Sequence, residues 1–128
     1  MGIIVQKFGG TSVGTTEKIK NVARRLLETQ RKGHDVVAVI SAMAGETDRL
    51  IRLANEVTDG PDTREYDVLV ATGEQVSIAL ISMAIIAQGG KAKSFMGHQV
   101  RILTDEAFSK ARIVSIDSER LLKDLKEG

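Results

Sequence analysis

Two short apolar runs, residues 3–8 and residues 36–40, flank a segment with helical periodicity, and this order constrains the fold most. Between the runs, Ile19, Val22 and Leu26 recur at the spacing that places side chains on one face of a helix. The second run is apolar throughout rather than alternating, which is typical of a parallel strand covered on both faces. Strand, helix and parallel strand predict a βαβ unit.

The rest of the chain continues the alternation of helices and short strands. Thr47 or Asp48 is expected to cap the next helix, and residues 64–71 are expected to form a helix that leads into Thr72-Gly73-Glu74-Gln75. The apolar stretch 76–87 is shorter than the ~20 residues that cross a membrane, so we interpret it as a core helix. Strands are predicted at residues 91–96, 100–104 and 113–116, and a last helix after them. The predicted fold class is α/β, a three-layer αβα sandwich with a mainly parallel sheet.

Composition narrows the class of protein. Hydrophobic residues make up 42% and charged residues 27% of the sequence, which is ordinary for a soluble globular domain. A net charge of +1 and an aromatic content of 3% argue against a nucleic-acid or membrane partner. The absence of cysteine excludes disulfides and thiolate chemistry, and the first residues lack a signal-peptide pattern. We therefore expect a cytoplasmic protein.

A glycine-rich turn follows the first apolar run and suggests a phosphate site. Lys7 precedes Gly9 and Gly10, and the turn leads into the helix, so that backbone N–H groups, the helix dipole and an ammonium group converge. The alternative is an exposed lysine before an ordinary turn. Lys7 precedes the glycines, so this is not a Walker A loop, and the glycine spacing does not match the dinucleotide-binding fingerprint.

Two further segments carry polar residues that suit a small substrate. Ser41 and Thr47 follow the second strand, and ligands of open α/β sheets bind at the carboxyl ends of strands. Thr47 has the alternative of merely capping a helix. Glu74 precedes the most apolar segment, where a carboxylate needs a partner, and it could bind the ammonium group of a substrate. The alternative is a glutamate at the start of a helix, whose carboxylate accepts hydrogen bonds from backbone N–H groups. His34 and His98 lack metal-ligand spacing, and we expect no metal held by protein side chains.

These segments together resemble the N-terminal part of the aspartokinases, in the amino-acid kinase family. The match covers nearly the whole chain, and its specificity comes from three separate motifs in the family's order. The three motifs are VQKFGGTSVG at 5–14, VISAMAGETDRLI at 39–51 and TGEQVSIALIS at 72–82, and GHQVRILTD at 97–105 followed by ARI at 111–113 also matches.

The resemblance implies ATP-dependent phosphorylation of the side chain of L-aspartate, the first step towards lysine, threonine and methionine. By motif, Lys7 would contact the transferring phosphoryl group as the catalytic residue, and it would bind ATP together with Gly9, Gly10 and Ser12. Magnesium would be held through the ATP phosphates.

By the same resemblance, Ser41 and Thr47 would contact aspartate, and Glu74 would bind its α-ammonium group. A departure from the family is Arg101, where a glycine is frequent, and a cation there could alter the loop over the substrate pocket.

The family's catalytic domains are longer than residues 1–128. The resemblance implies that this chain is the N-terminal, substrate-side portion, without the nucleotide-base portion or the ACT regulatory domains, and that it is inactive by itself. The alternatives are a kinase of another amino-acid carboxylate and a non-catalytic module that pairs with another chain. Uncovered apolar surfaces favour association, and the resemblance implies the same, since amino-acid kinase domains usually dimerise. We therefore expect a homo-oligomer.

Overall fold

The computed structural model, which describes residues 2–128, confirms the βαβ unit. Strands β1 (Ile3–Phe8) and β2 (Asp35–Ile40) pair in parallel, in register from Ile3 and Asp35 to Phe8 and Ile40. Helix α1 (Thr16–Arg31) connects them and carries its apolar residues on one face. The sequence offers Thr15 or Thr16 as the cap of this helix, and the structure shows Thr15, whose side chain accepts a hydrogen bond from the backbone N–H of Lys18 at 3.2 Å.

Helices cover one face of the parallel pair. On that face Gln6 donates a hydrogen bond to Thr29 of α1 at 3.2 Å, and the guanidinium of Arg25 lies 5.6 Å from the ring centre of Phe8. On the opposite face Val5 is 64% exposed and Val39 is 47% exposed. That face of the parallel pair is therefore open at these two positions, and the helices together with the parallel sheet fit the αβα sandwich that the sequence predicted. The core between sheet and helices consists of Phe8, Val13, Ile19, Val22, Ala23, Leu26, Leu27, Ile40, Ile81 and Ile85.

The remaining helices are α2 (Glu46–Val57), α3 (Thr63–Ala87) and α4 (Glu119–Glu127). Helix α3 is continuous over 25 residues, so Thr72-Gly73-Glu74-Gln75 lies in its middle and does not precede a new helix. Among the described residues it is the one helix long and apolar enough to cross a membrane by length and composition, a test that the core helix of a soluble protein also passes. Its residues Ile81 and Ile85 belong to the core, as expected of a core helix. It packs against α1 and α2.

The C-terminal third contains an antiparallel pair. Strands β3 (Ile102–Thr104) and β4 (Ile113–Ile116) form a short hairpin, with an irregularity between Leu103 and Thr104. The prediction of a strand at residues 91–96 is wrong. This segment forms no β-sheet hydrogen bonds with another strand of the described chain, and two of its lysine side chains bond to α4 instead. Lys93 bonds Asp124 at 3.1 Å, and Lys91 bonds the carbonyl oxygen of Glu127 at 3.0 Å. The α/β class with a parallel sheet is confirmed.

Candidate functional site

The carboxyl ends of β1 and β2 lie side by side and carry the loops that form the site. The pairing continues one step past the strands, because the backbone N–H of Ser41 donates to the carbonyl oxygen of Phe8 at 3.1 Å. After β1 the chain enters a 3-10 turn, Gly10–Val13, whose last residue is fully buried. The glycine-rich turn and the loop that begins at Ser41 are therefore neighbours.

A polar cavity of about 310 Å³ opens between these loops and the middle of α3. Four residues that the sequence singled out line it together, although they come from three separate segments: Gly10, Ser41, Thr47 and Glu74. The rest of its lining comes from the loop after β2 and the first turn of α2, namely Ala42, Met43, Ala44, Gly45 and Asp48.

The structure removes the alternative explanation for Thr47. Helix α2 is capped by Gly45, which has a left-handed φ of 81° and makes no side-chain capping bond. A residue with a Cβ is strained in this conformation, so glycine suits the position. The expectation that Thr47 or Asp48 caps the helix is wrong. Thr47 lies in the first turn and lines the cavity, so its side chain is available to a ligand there.

Glu74 likewise is not the first-turn glutamate that the alternative explanation required. It lies in the interior of α3, where backbone N–H groups are used within the helix and the helix-terminal field has died away. It is half-buried, and its carboxylate makes no hydrogen bond or ion pair with any residue in the range 2–128. An unpaired, partly desolvated carboxylate is free to bind a cationic group.

Asp48 is a second carboxylate of the cavity, and the sequence did not single it out as a ligand-binding residue. It is exposed in the first turn of α2 and lines the same cavity as Glu74, whereas no lysine, arginine or histidine of the described chain lines it. A neighbouring carboxylate, Glu46, is already occupied: Arg49 bonds it at 2.7 and 3.1 Å, and this hydrogen bonding holds the pKa of Glu46 below its ordinary value. The cavity therefore has an excess of negative charge that favours a cationic ligand group.

The remaining predicted residues lie outside the cavity lining. Lys7 is exposed near the carboxyl end of β1, in register with Val39 on the uncovered face of the sheet. Gly9 and Ser12 belong to the turn, where the N–H of Ser12 donates to the carbonyl oxygen of Gly9 at 3.0 Å. The structure thus brings Gly10, but not Lys7, into contact with the cavity itself.

Lys18 is an additional cation at the turn. Its ammonium donates to the carbonyl oxygen of Thr11 at 2.9 Å, which ties the turn to the first helical residues of α1. The spacing of seven residues across a turn and a helix gives no local sequence pattern, so only the fold reveals this contact.

Arg101 lies away from the cavity, and its backbone explains why glycine suits the position. It has a left-handed φ of 52° after the short turn Gly97–Val100, and its guanidinium approaches Asp117 at 3.5 Å. Because the residue does not line the cavity, it does not alter the site directly. Within residues 2–128, no three His, Asp or Glu side chains converge as a metal site.

A second, larger groove of about 620 Å³ runs along the free edge of β2, between α3, α4 and residues 91–97. Its lining is mostly aliphatic, and Glu74 also borders it. The smaller cavity is the better candidate site, because the hydroxyl groups, the glycine turn and the strand ends meet there.

Comparison with known proteins gives a consistent assignment. The sequence profile of the amino acid kinase family matches residues 2–128. Over 128 residues the chain is 58% identical to the aspartokinase of Pseudomonas aeruginosa and 52% identical to that of Geobacillus stearothermophilus, in each case covering all of this chain and 31% of the relative. The chain thus spans about a third of the length of these relatives.

A solved structure extends the likeness to three dimensions. The crystal structure of aspartate kinase from Synechocystis superposes with a TM-score of 0.74 at 51% identity, covering 77% of this chain and 17% of that one. The parallel pair, the site at its carboxyl edge and the profile match over residues 2–128 lead to one assignment: the chain belongs to the amino-acid kinase family.

Proposed function

We propose that residues 1–128 form the aspartate-binding, N-terminal portion of an ATP-dependent aspartate kinase. The reaction transfers the γ-phosphoryl group of ATP to the side-chain carboxylate of L-aspartate and yields 4-phospho-L-aspartate and ADP. The observation that carries the proposal is the cavity beside the glycine turn, which combines two carboxylates with two hydroxyl groups and has no basic residue in its described lining. The names of the relatives support aspartate as the substrate.

The cavity has complementary groups for the amino-acid part of the substrate. Glu74 binds the α-ammonium group, since it is half-buried and has no partner in the described part of the chain. Ser41 and Thr47 donate hydrogen bonds to carboxylate oxygens of the substrate. Asp48 adds a second negative charge near the ammonium group.

The turn beside the cavity is suited to the phosphates of ATP. A Cβ on Gly10 would lie 3.0 Å from the carbonyl oxygen of Ala42, so any side chain would crowd the contact between the two loops. Gly9, Gly10 and Ser12 offer backbone groups to the phosphates, and Lys7 supplies the positive charge that stabilises the transferring phosphoryl group. When bound, Mg²⁺ neutralises phosphate charge and is held by ATP oxygens.

The extent of the chain limits what it does by itself. Residues 1–128 correspond to about a third of the relatives. We expect negligible turnover by this polypeptide alone, because the pocket for the nucleotide base and further phosphate contacts come from sequence outside this range. As part of a longer enzyme it would act in the cytoplasm, as a homo-oligomer, at the start of lysine, threonine and methionine synthesis.

A chimera tests the proposal. Residues 1–128 replace the corresponding 31% of the Pseudomonas aeruginosa aspartokinase, over which the two sequences are 58% identical. The chimera should release ADP only when L-aspartate is present. A folded chimera that binds ATP without phosphorylating aspartate, or that phosphorylates glutamate preferentially, would overturn the proposal.

Lys7 is tested in the same chimera. Lys7→Met removes the charge and should lower kcat by about 10²–10³-fold, the loss typical of one electrostatic stabiliser of a transition state. Lys123→Met, a matched change on the exposed face of α4, should leave kcat unchanged. Equal turnover by both variants would remove Lys7 from the catalytic group.

A further inference from the structure

We infer that Ala42 is a positioning residue that sets the length of substrate this cavity accepts, an inference that rests on the proposed function. Ala42 lies between two glycines from different elements and is only 6% exposed. A Cβ on Gly10 would meet its carbonyl oxygen at 3.0 Å, and a Cβ on Gly73 would meet its methyl group at 3.1 Å. The three residues form a stack, which we call the Ala42 stack, and a carbon atom added at either glycine would force its neighbour to shift by a few tenths of an ångström.

The two outer layers of the Ala42 stack belong to the elements that would hold the two ends of the substrate. Gly10 begins the turn assigned to the phosphates, and Gly73 directly precedes Glu74, which is assigned to the ammonium group. The thickness of the stack therefore sets the separation between the phosphoryl group and the ammonium site. Carbon atoms in ordinary contact are about 3.5–4.0 Å apart, so a methyl group added at residue 73 must displace α3 from the loop.

Glycine at residue 73 is otherwise unfavourable, which supports a specific reason for it. Within a helix interior glycine is the least favourable residue apart from proline. Gly73 lies inside the 25-residue helix α3 and is buried, and besides Ala42 its missing side chain would meet Leu50 at 3.5 Å and Glu46 at 3.7 Å. The close approach of α3 to the loop requires the absence of a side chain here.

Aspartate and glutamate differ by one methylene group, which adds less than a C–C bond length of about 1.5 Å between ammonium and reacting carboxylate. If the thickness of the stack changes, the distance between the ammonium site and the phosphoryl group changes with it. That distance decides whether aspartate or glutamate places its side-chain carboxylate at the phosphoryl group. One methylene group typically changes kcat/KM about 10–200-fold. The Ala42 stack thus selects the shorter amino acid.

Three variants of the chimera test this inference with opposite expectations. Gly73→Ala thickens the stack, so the ratio of kcat/KM for aspartate over glutamate should fall at least about tenfold, mainly through kcat for aspartate. Ala42→Gly thins it, so the ratio should rise. The double variant Gly73→Ala/Ala42→Gly moves the methyl group from one layer to the other, and the ratio should return to within about threefold of the parent.

Gly60→Ala is the control, since a Cβ at residue 60 would meet nothing within 4 Å. An unchanged ratio in the folded Gly73→Ala and Ala42→Gly variants would overturn the inference while leaving the proposed function intact. A double variant as impaired as Gly73→Ala would also overturn it. If Gly73→Ala does not fold, Ala42→Gly alone decides: a rise in the ratio of kcat/KM for aspartate over glutamate supports the inference, and a fall overturns it. A parent chimera that is inactive towards aspartate would instead refute the proposed function.

Discussion

Glu74→Gln is the substitution that most directly probes substrate binding. In the structure this carboxylate has no partner among residues 2–128, so its whole charge is available to a ligand. A hydrogen bond to a charged group contributes about 1.5–3 kcal/mol, and each 1.4 kcal/mol corresponds to about a tenfold change in affinity, so the full loss would be about 10–150-fold. Glutamine keeps one carbonyl acceptor, and Asp48 keeps a negative charge in the cavity, so we expect the lower part of this range.

The assay is steady-state kinetics of the chimera with L-aspartate. KM for aspartate should rise about 10–30-fold, whereas kcat should change by less than about threefold, because the ammonium group lies at the end of the substrate remote from the reacting carboxylate. KM for ATP should be unchanged. The melting temperature should not fall, since Glu74 makes no bond that stabilises the described fold.

The matched control is Glu65→Gln, on the same helix. Glu65 is exposed, pairs with Arg64 and does not line the cavity, so both kinetic constants should stay at the parent values. A KM for aspartate that changes less than about twofold in a folded Glu74→Gln chimera would refute the reasoning. So would an equal rise in KM from both substitutions.

Two further predictions concern the fold of the chain itself. Ile81→Ala should lower the free energy of unfolding by about 2–5 kcal/mol in urea denaturation, because the side chain of Ile81 is only 3% exposed. Ile86 lies on the same helix and is 56% exposed, so Ile86→Ala should lower it by less than about 0.5 kcal/mol. Equal losses from the two substitutions would contradict the assigned core. The hydrogen bond from Lys93 holds the pKa of Asp124 below its ordinary value of 3.8, so the stability that this carboxylate contributes is present at neutral pH and is lost as the pH falls through the lowered value. Asp124→Asn should therefore reduce the loss of stability on acidification in a pH series of urea midpoints; an unchanged acid dependence would contradict the ion pair's role.

The βαβ unit could be predicted from the sequence because its signals are local. Apolar runs, a helical period and a capping threonine at residue 15 each depend on neighbours along the chain. The strand ends of a parallel pair must share an edge, so the amino-acid order alone was enough to place Ser41 near the glycine turn.

The errors arose where tertiary contacts override local preference. The sequence places residues 72–75 between two helical segments, yet helix α3 continues through them, and Gly73 lies in its interior against the methyl group of Ala42. Residues 91–96 alternate as a strand does, but contacts with α4 hold them without a ladder. The roles of Asp48 and Lys18 could not be predicted, because they depend on segments that meet only in the fold.

The most direct test of the central claim is a crystal structure of the chimera with L-aspartate bound. The predicted result has the α-ammonium nitrogen within hydrogen-bonding distance of the Glu74 carboxylate, and the side-chain carboxylate directed towards Gly10 and Lys7. Aspartate bound in the opposite orientation, or in the aliphatic groove along β2 with the polar cavity empty, would contradict it.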